Sequence, residues 1–243
     1  MISVKPNVKA LNHYVVDTSD YIVKLDANES ENYLVNDNFK LDLSEIYLYP
    51  DHNQLELKKA LEVYLDIPKL SYTFGNGSSE LIELMFKAYV HPQDIVLTYE
   101  PTFSMYKVYS ELYQAEYQIV NMKDFKVDTK EMIKDIKRLN PKMTILCSPN
   151  NPTGYLIPKE EILNIVKSTE NLILLDEAYI DFVDRKQSLL DVLNDFPNLV
   201  IVRTLSKAFG LAGIRLGYMV ASEDIIQTIE KVKAPYHLNA LTQ

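Results

Sequence analysis

The chain has 243 residues, 47% hydrophobic and 24% charged, enough for one large α/β domain or for such a domain with part of another. The net charge of −9 argues against a general nucleic-acid surface, which needs clustered Lys and Arg, but leaves room for a local anion site built from backbone N–H groups and one Arg. The single cysteine, Cys147, excludes an internal disulfide and suits a reducing cytoplasm; no apolar run approaches the length of a membrane span or follows Lys5 as a secretion signal would.

Residues 1–50 read as an irregular arm, with polar residues clustered from Asp26 to Asn32. After Pro50 the pattern becomes regular. Leu57, Ala60, Leu61, Tyr64 and Leu65 share one helical face. Ser71–Phe74 is a strand that runs into the loop Gly75-Asn76-Gly77 and a second helix, whose apolar face holds Leu81, Ile82, Met85, Ala88 and Tyr89. Strands then alternate with helices. Ile95–Leu97 is a strand, Pro101 opens a helix to about Leu112, Tyr117–Val120 is a strand, and Thr129 caps a helix ending near Leu139. Met143–Cys147 is a strand, and Pro158 opens another helix. Leu172–Leu175 and Leu199–Val202 are continuous apolar runs, the pattern of strands covered by helices on both faces. Leu216–Val220 is a further strand, antiparallel in one reading, and Ser222 begins a helix containing Ile225, Ile226, Ile229 and Val232. The expected fold is a three-layer α/β/α domain around a mostly parallel mixed sheet. The final residues, Ala240–Gln243, read as a chain interrupted inside a helix or its approach.

In this fold class ligands sit at the carboxyl ends of the strands, and four motifs fall there. In Gly75-Asn76-Gly77-Ser78-Ser79-Glu80, two glycines allow a tight turn, and small serines at a helix start expose N–H groups to an anion. An ordinary helix cap explains the same residues, and the third glycine of a dinucleotide fingerprint is missing. Cys147-Ser148-Pro149-Asn150-Asn151-Pro152-Thr153-Gly154 places two amides after a strand, where a plain turn also favours these residue types. Asp176-Glu177-Ala178-Tyr179 puts two carboxylates after a buried run. One could pair with a protonated ring nitrogen, ligate a metal or cap a helix. A metal reading lacks a Gly-Lys-Ser/Thr loop, and the four His, at 13, 52, 91 and 237, are scattered. Thr204-Leu205-Ser206-Lys207, with Arg215 eight residues on, puts a lysine where burial would lower its pKa and free its amine. A surface lysine in a loop is the bland alternative.

Taken in order, these segments resemble fold-type I aminotransferases dependent on pyridoxal phosphate (PLP), and more narrowly the histidinol-phosphate aminotransferases. The resemblance is carried also by Tyr49-Pro50-Asp51, Pro101-Thr102-Phe103, Leu211-Ala212-Gly213-Ile214-Arg215-Leu216-Gly217-Tyr218 and Ala234-Pro235-Tyr236. It implies that Lys207 carries the cofactor as a Schiff base and shuttles a proton. Asp176 would pair with the pyridine nitrogen, while Tyr179 and Asn151 bond the phenolic oxygen. Gly77, Ser78, Ser79, Thr204, Ser206 and Arg215 would hold the phosphate, and Phe103, where the family commonly has Tyr, would stack on the ring. Tyr49 would reach the phosphate of a neighbouring subunit, implying a homodimer, and Asn28 and Tyr49 would lie on the substrate side.

The resemblance further implies a cytoplasmic enzyme of histidine biosynthesis that moves an amino group from L-histidinol phosphate to 2-oxoglutarate, giving imidazole-acetol phosphate and L-glutamate. No metal, nucleic acid or membrane enters that scheme. It divides the chain into a 1–50 arm contributing to a small domain and to dimer contacts, and a 51–243 PLP-binding large domain. The family's C-terminal small domain, with its substrate-gripping Arg, is expected to be absent. Three other readings stay open: a lyase resembling threonine-phosphate decarboxylase, an aromatic aminotransferase, and a non-catalytic remnant that binds PLP weakly.

Overall fold

The computed structural model describes residues 2–12, 22–31, 43–67 and 69–243. Parts of the expected arm, including Asn32 and His13, lie outside the described residues. The elements are α1 (Pro6–Ala10), α2 (Leu55–Leu65), β1 (Ser71–Asn76), α3 (Gly77–Tyr89), β2 (Ile95–Glu100), α4 (Met105–Leu112) and β3 (Glu116–Asn121). There follow α5 (Thr129–Leu139), β4 (Met143–Cys147), α6 (Lys159–Val166), β5 (Leu172–Asp176), β6 (Leu199–Thr204), β7 (Leu216–Ala221) and α7 (Glu223–Val232).

The seven strands form one sheet in the order β1-β7-β6-β5-β4-β2-β3. Only β7 runs against the rest, pairing antiparallel with β1 (Asn76 opposite Leu216) and with β6 (Thr204 opposite Gly217). The expected strands are all present, and the mostly parallel mixed sheet is the one the apolar runs called for. Alternate residues of each central strand enter different cores. Leu199 and Ile201 pack with α5 and α6 residues such as Ile136 and Ile165, whereas Val200 and Val202 pack with α3 and α7 residues such as Met85 and Ile229. Burial on both faces explains why these strands show no polar alternation.

Several local expectations change. The expected loop at Gly75-Asn76-Gly77 is absent: Gly75 and Asn76 end β1, and Gly77 begins α3 directly. The arm contains a short helix, α1, opened by Pro6 at its first position. Ala60 is exposed, and Leu61 is the one buried residue of α2, so that face is narrower than the apolar pattern suggested. α4 begins at Met105, not Pro101, because residues 101–104 remain a loop held by Asn150, whose Nδ2 donates to the Pro101 carbonyl at 3.0 Å. Asp128, not Thr129, caps α5: its carboxylate accepts the Glu131 N–H at 3.0 Å. The crossover from β5 to β6 carries three short 3-10 turns (Ile180–Phe182, Arg185–Gln187, Leu190–Asp195), which no periodic pattern announces. Residues 240–243 form a turn, with Leu238 buried and the Thr242 hydroxyl donating to the Ile214 carbonyl at 2.7 Å.

Because β7 is antiparallel, its amino end, with Arg215, lies at the same edge of the sheet as the carboxyl ends of the other six strands.

Candidate active site

A cavity of about 300 Å³ opens at that edge. Its lining includes Asn28, Ser78, Ser79, Phe103, Asn151, Asp176, Tyr179, Thr204, Ser206, Lys207 and Arg215. Segments 180 residues apart thus converge. Two of the expected residues stand differently. Gly77 lies behind the wall, and Tyr49 lies outside it, 81% exposed and stacked on Tyr236 with ring centroids 4.6 Å apart.

One end of the cavity is a cup for an anion. The first turn of α3 has no side-chain cap, so its N–H groups at Ser78 and Ser79 are left for whatever fills the cup. Gly77 spends its own N–H on the Arg215 carbonyl at 2.9 Å, so it contributes conformation rather than a donor. Its φ is +73°, and a Cβ there would come within 2.6 Å of Arg215 Nη2. Arg215 is itself left-handed, with φ +55°. Its Nη1 donates to Ser206 Oγ at 3.3 Å and its Nη2 to the Asn76 carbonyl at 3.4 Å. The Thr204 hydroxyl donates to Ser206 Oγ at 3.0 Å and accepts the Ser206 N–H at 3.2 Å, which fixes the hydroxyls on the cup's rim.

The opposite end is acidic and dry. Asp176, only 3% exposed, ends β5. Its Oδ2 accepts the Tyr106 hydroxyl at 2.7 Å, and its Oδ1 accepts the Ala178 N–H at 3.0 Å. Burial pushes the carboxyl from the ordinary 3.8 up to about 6, against the pull of these two hydrogen bonds. Glu177 points the other way. It accepts Arg203 Nε at 2.9 Å and the Ser188 hydroxyl at 2.8 Å inside the protein. Alternation along the chain therefore separates two carboxylates that their adjacency alone leaves equivalent, and Asp176 is the one at the cavity. The paired asparagines divide in the same way. Asn150 is buried and props the loop, donating to Thr153 Oγ1 at 2.9 Å and accepting Thr102 Oγ1 at 2.8 Å, while Asn151 faces the cavity.

Between the two ends stands Lys207. Its Nζ donates to the Ala27 carbonyl at 2.6 Å and lies 5.8 Å from the Tyr179 ring. Burial lowers its pKa, and Arg215 and Lys24 add to the effect while Glu29 and Asp176 oppose it. The Tyr179 hydroxyl accepts Asn28 Nδ2 at 3.1 Å, and burial raises its pKa. Residues 26–28 thus close over the lysine, held by the Lys24 ion pairs to Asp26 and Glu29. Cys147, at the head of the Asn-containing motif, and the Ala27 carbonyl, in the polar cluster of the arm, also belong to the site, as does Tyr106, which falls in no motif. Tyr106 could have been found only as a tyrosine on the buried side of an otherwise ordinary helix. Among the described residues no group of three or more His, Cys, Asp or Glu is arranged to hold a metal, and no helix is long and apolar enough to cross a membrane.

The family description "aminotransferase class I and II" matches residues 12–243. The chain belongs to this family. Its relatives include the histidinol-phosphate aminotransferase of Thermoanaerobacter pseudethanolicus, 38% identical over 99% of this chain and 70% of that protein. The enzyme of that name from Christiangramia forsetii is 40% identical over 99% of this chain and 67% of its own length. Among solved structures, the histidinol-phosphate aminotransferase of Clostridium acetobutylicum is 28% identical with a TM-score of 0.75, covering 82% of this chain and 60% of that one. That of Sinorhizobium meliloti, solved in complex with pyridoxal-5'-phosphate, has a TM-score of 0.87 at 22% identity, covering 98% and 68%, and supports the fold.

Proposed function

We propose that this aminotransferase uses pyridoxal phosphate held at Lys207 and acts on L-histidinol phosphate with 2-oxoglutarate. The observation that carries this reading is the convergence, in one cavity, of a partly buried lysine amine, a buried carboxylate and an anion cup. The donor set fits the cofactor part by part. The α3 N-terminus, Arg215, Thr204 and Ser206 suit a phosphate dianion. Asp176 suits a cationic ring nitrogen, Phe103 offers an aromatic face, and Asn151 and Tyr179 offer polar atoms to a ring oxygen. The space that a Cβ at Gly77 would fill is the space in which Arg215 Nη2 stands.

Bound here, pyridoxal phosphate would supply an electron sink conjugated to the substrate's amino nitrogen. The protein's part is then simple. Lys207, its pKa lowered by burial, would hold the cofactor through Nζ and, once that amine is free, would take the proton from the substrate α-carbon. Asp176, buried at the end of β5, would pair with the ring nitrogen and favour its protonated form, and a cation there would in turn favour the ionised carboxylate. Asn28, donating to the Tyr179 hydroxyl, fixes that ring beside Nζ.

On this reading residues 1–50 are an arm and residues 51–243 the cofactor-binding domain of a cytoplasmic homodimer. The exposed Ile46, Tyr47, Leu48 and Tyr49 support a subunit contact that would bring Tyr49 to a neighbour's cup. The test is borohydride treatment of the protein supplied with pyridoxal phosphate, followed by mass spectrometry, beside an assay of glutamate formed from histidinol phosphate and 2-oxoglutarate. The expected label falls on Lys207, and Lys207→Ala loses the label and lowers glutamate formation roughly 10³-fold or more. A label elsewhere, or carbon dioxide in place of glutamate, overturns the proposal.

A further inference from the structure

Tyr106 is the buried residue that touches two of the groups assigned to the cofactor ring. Its side chain is 0% exposed. Its hydroxyl donates to Asp176 Oδ2 at 2.7 Å, and its ring meets that of Phe103 edge to face, centroids 5.5 Å apart at 86°. α4 fixes the backbone beneath it, where the Tyr106 carbonyl accepts the Ser110 hydroxyl at 2.9 Å. The Ala178 N–H takes Oδ1 of Asp176 and Tyr106 takes Oδ2, so both carboxylate oxygens are oriented from behind, leaving their outer lone pairs toward the cavity.

We infer that Tyr106 is a positioning residue for the cofactor: its hydroxyl aims and ionises Asp176 while its ring sets the pitch of Phe103. This rests on the proposed cofactor reading. A phenylalanine would fill the same volume and keep the edge-to-face contact, but could not donate. The hydroxyl is therefore the part of the side chain that packing alone does not require. Its direction of action follows from the charges around Asp176. Tyr106 from α4, Tyr99 from β2, Cys147 from β4, Tyr179 beyond β5 and Lys207 beyond β6 surround it, and Glu177, turned away toward Arg203, acts on it only through its charge. Of these, Tyr106 by its hydrogen bond and Lys207 by its charge favour the ionised carboxylate, and Glu177 disfavours it. Tyr106 remains a neutral donor, because burial and the Asp176 charge hold its own ionisation far above neutrality.

Two measurements separate this inference from the reading beneath it. In cofactor-free protein, the infrared carboxyl band of Asp176, isolated by subtracting the Asp176→Asn spectrum, is titrated with and without Tyr106→Phe. The expected result is a midpoint higher by about one pH unit in Tyr106→Phe, the worth of one hydrogen bond to a charged group. An unmoved midpoint overturns the inference. The second measurement is the dissociation constant of pyridoxal phosphate, with thermal melting as the check on folding. Tyr106→Phe is expected to weaken binding about tenfold in the wild-type background and not at all on top of Asp176→Asn, since it acts through that carboxylate. Equal weakening in both backgrounds overturns the inference. Failure of the wild type itself to retain the cofactor on Lys207 overturns the cofactor reading, while the infrared result still decides whether Tyr106 governs Asp176.

Discussion

At the scale of single residues, the site is organised by burial. Asp176 lies where water is scarce, and its pKa of about 6 has a thermodynamic consequence. The folded value stands above the ordinary 3.8, so the folded protein holds a proton that the unfolded chain releases. Its contribution to stability is therefore fully present below about pH 4 and is lost as pH rises through about 6. Between about pH 4.5 and 7.5, urea unfolding of cofactor-free protein should show the wild type losing about 2 kcal/mol more than Asp176→Asn. Equal losses would mean that this carboxylate is better solvated than its surroundings imply. Gly77 gives a second residue-scale expectation. Gly77→Ala meets only the movable end of Arg215, so it should cost about 1 kcal/mol of stability. Displacing that guanidinium should weaken binding of pyridoxal phosphate about tenfold or more, read by fluorescence titration.

At the scale of elements, the cup depends on how closely β7 approaches α3. Gly217 lies opposite Thr204 on β6 and Gly75 on β1. A Cβ there would stand 2.5 Å from the Gly77 carbonyl carbon and 2.6 Å from the Ser78 nitrogen. These are backbone atoms, which cannot turn aside as the Arg215 side chain can. Gly217→Ala should therefore destabilise the protein by about 2–3 kcal/mol, visible as a lower denaturation midpoint. The contrast with Gly77 separates a packing effect from a site effect. Element boundaries show where sequence reasoning reached and where it stopped. The apolar runs at Leu172 and Leu199 revealed strands because both faces are buried, and Gly154 marked a loop, whereas Gly75 and Gly77 misled: strand passes directly into helix there, with the left-handed Gly77 making the turn. Ala60 misled because an apolar side chain suits either environment, and the start of α4 was hidden because Asn150, far along the chain, holds the preceding loop.

At the scale of the whole molecule, one buried network joins elements distant in sequence. Arg203 on β6 pairs with Glu177 at 2.8 Å, donates to the Ser188 hydroxyl at 2.8 Å, and reaches the Tyr218 hydroxyl on β7 at 3.4 Å. Asp181 continues it, accepting the Tyr64 hydroxyl of α2 at 2.8 Å. Removing one charge strands the other in a dry interior. Glu177→Leu should cost about 3–5 kcal/mol by urea unfolding, and the double variant Glu177→Leu with Arg203→Met should recover much of it. If the double variant is as unstable as the single, the network's geometry rather than its stranded charge sets the cost. Asp176 and Thr204 immediately flank these two residues, so the same substitutions should also loosen the cavity.

The order of strands and helices along the chain, the sheet's mostly parallel character and the four motifs at strand ends were all legible in the amino-acid sequence. Those features follow from local periodicity and from turn chemistry, which a short window of residues contains. The motifs alone leave each pair equivalent and family resemblance singles out Asn151 and Asp176; the tertiary structure supplies the physical reason, turning these two to the cavity and Asn150 and Glu177 into the interior. It also turned Gly77 from a donor into a support, set Tyr49 apart from the cavity, and placed Tyr106 behind Asp176. Side-chain direction at a strand end depends on the parity of a whole sheet and on neighbours far along the chain. That information belongs to no single segment.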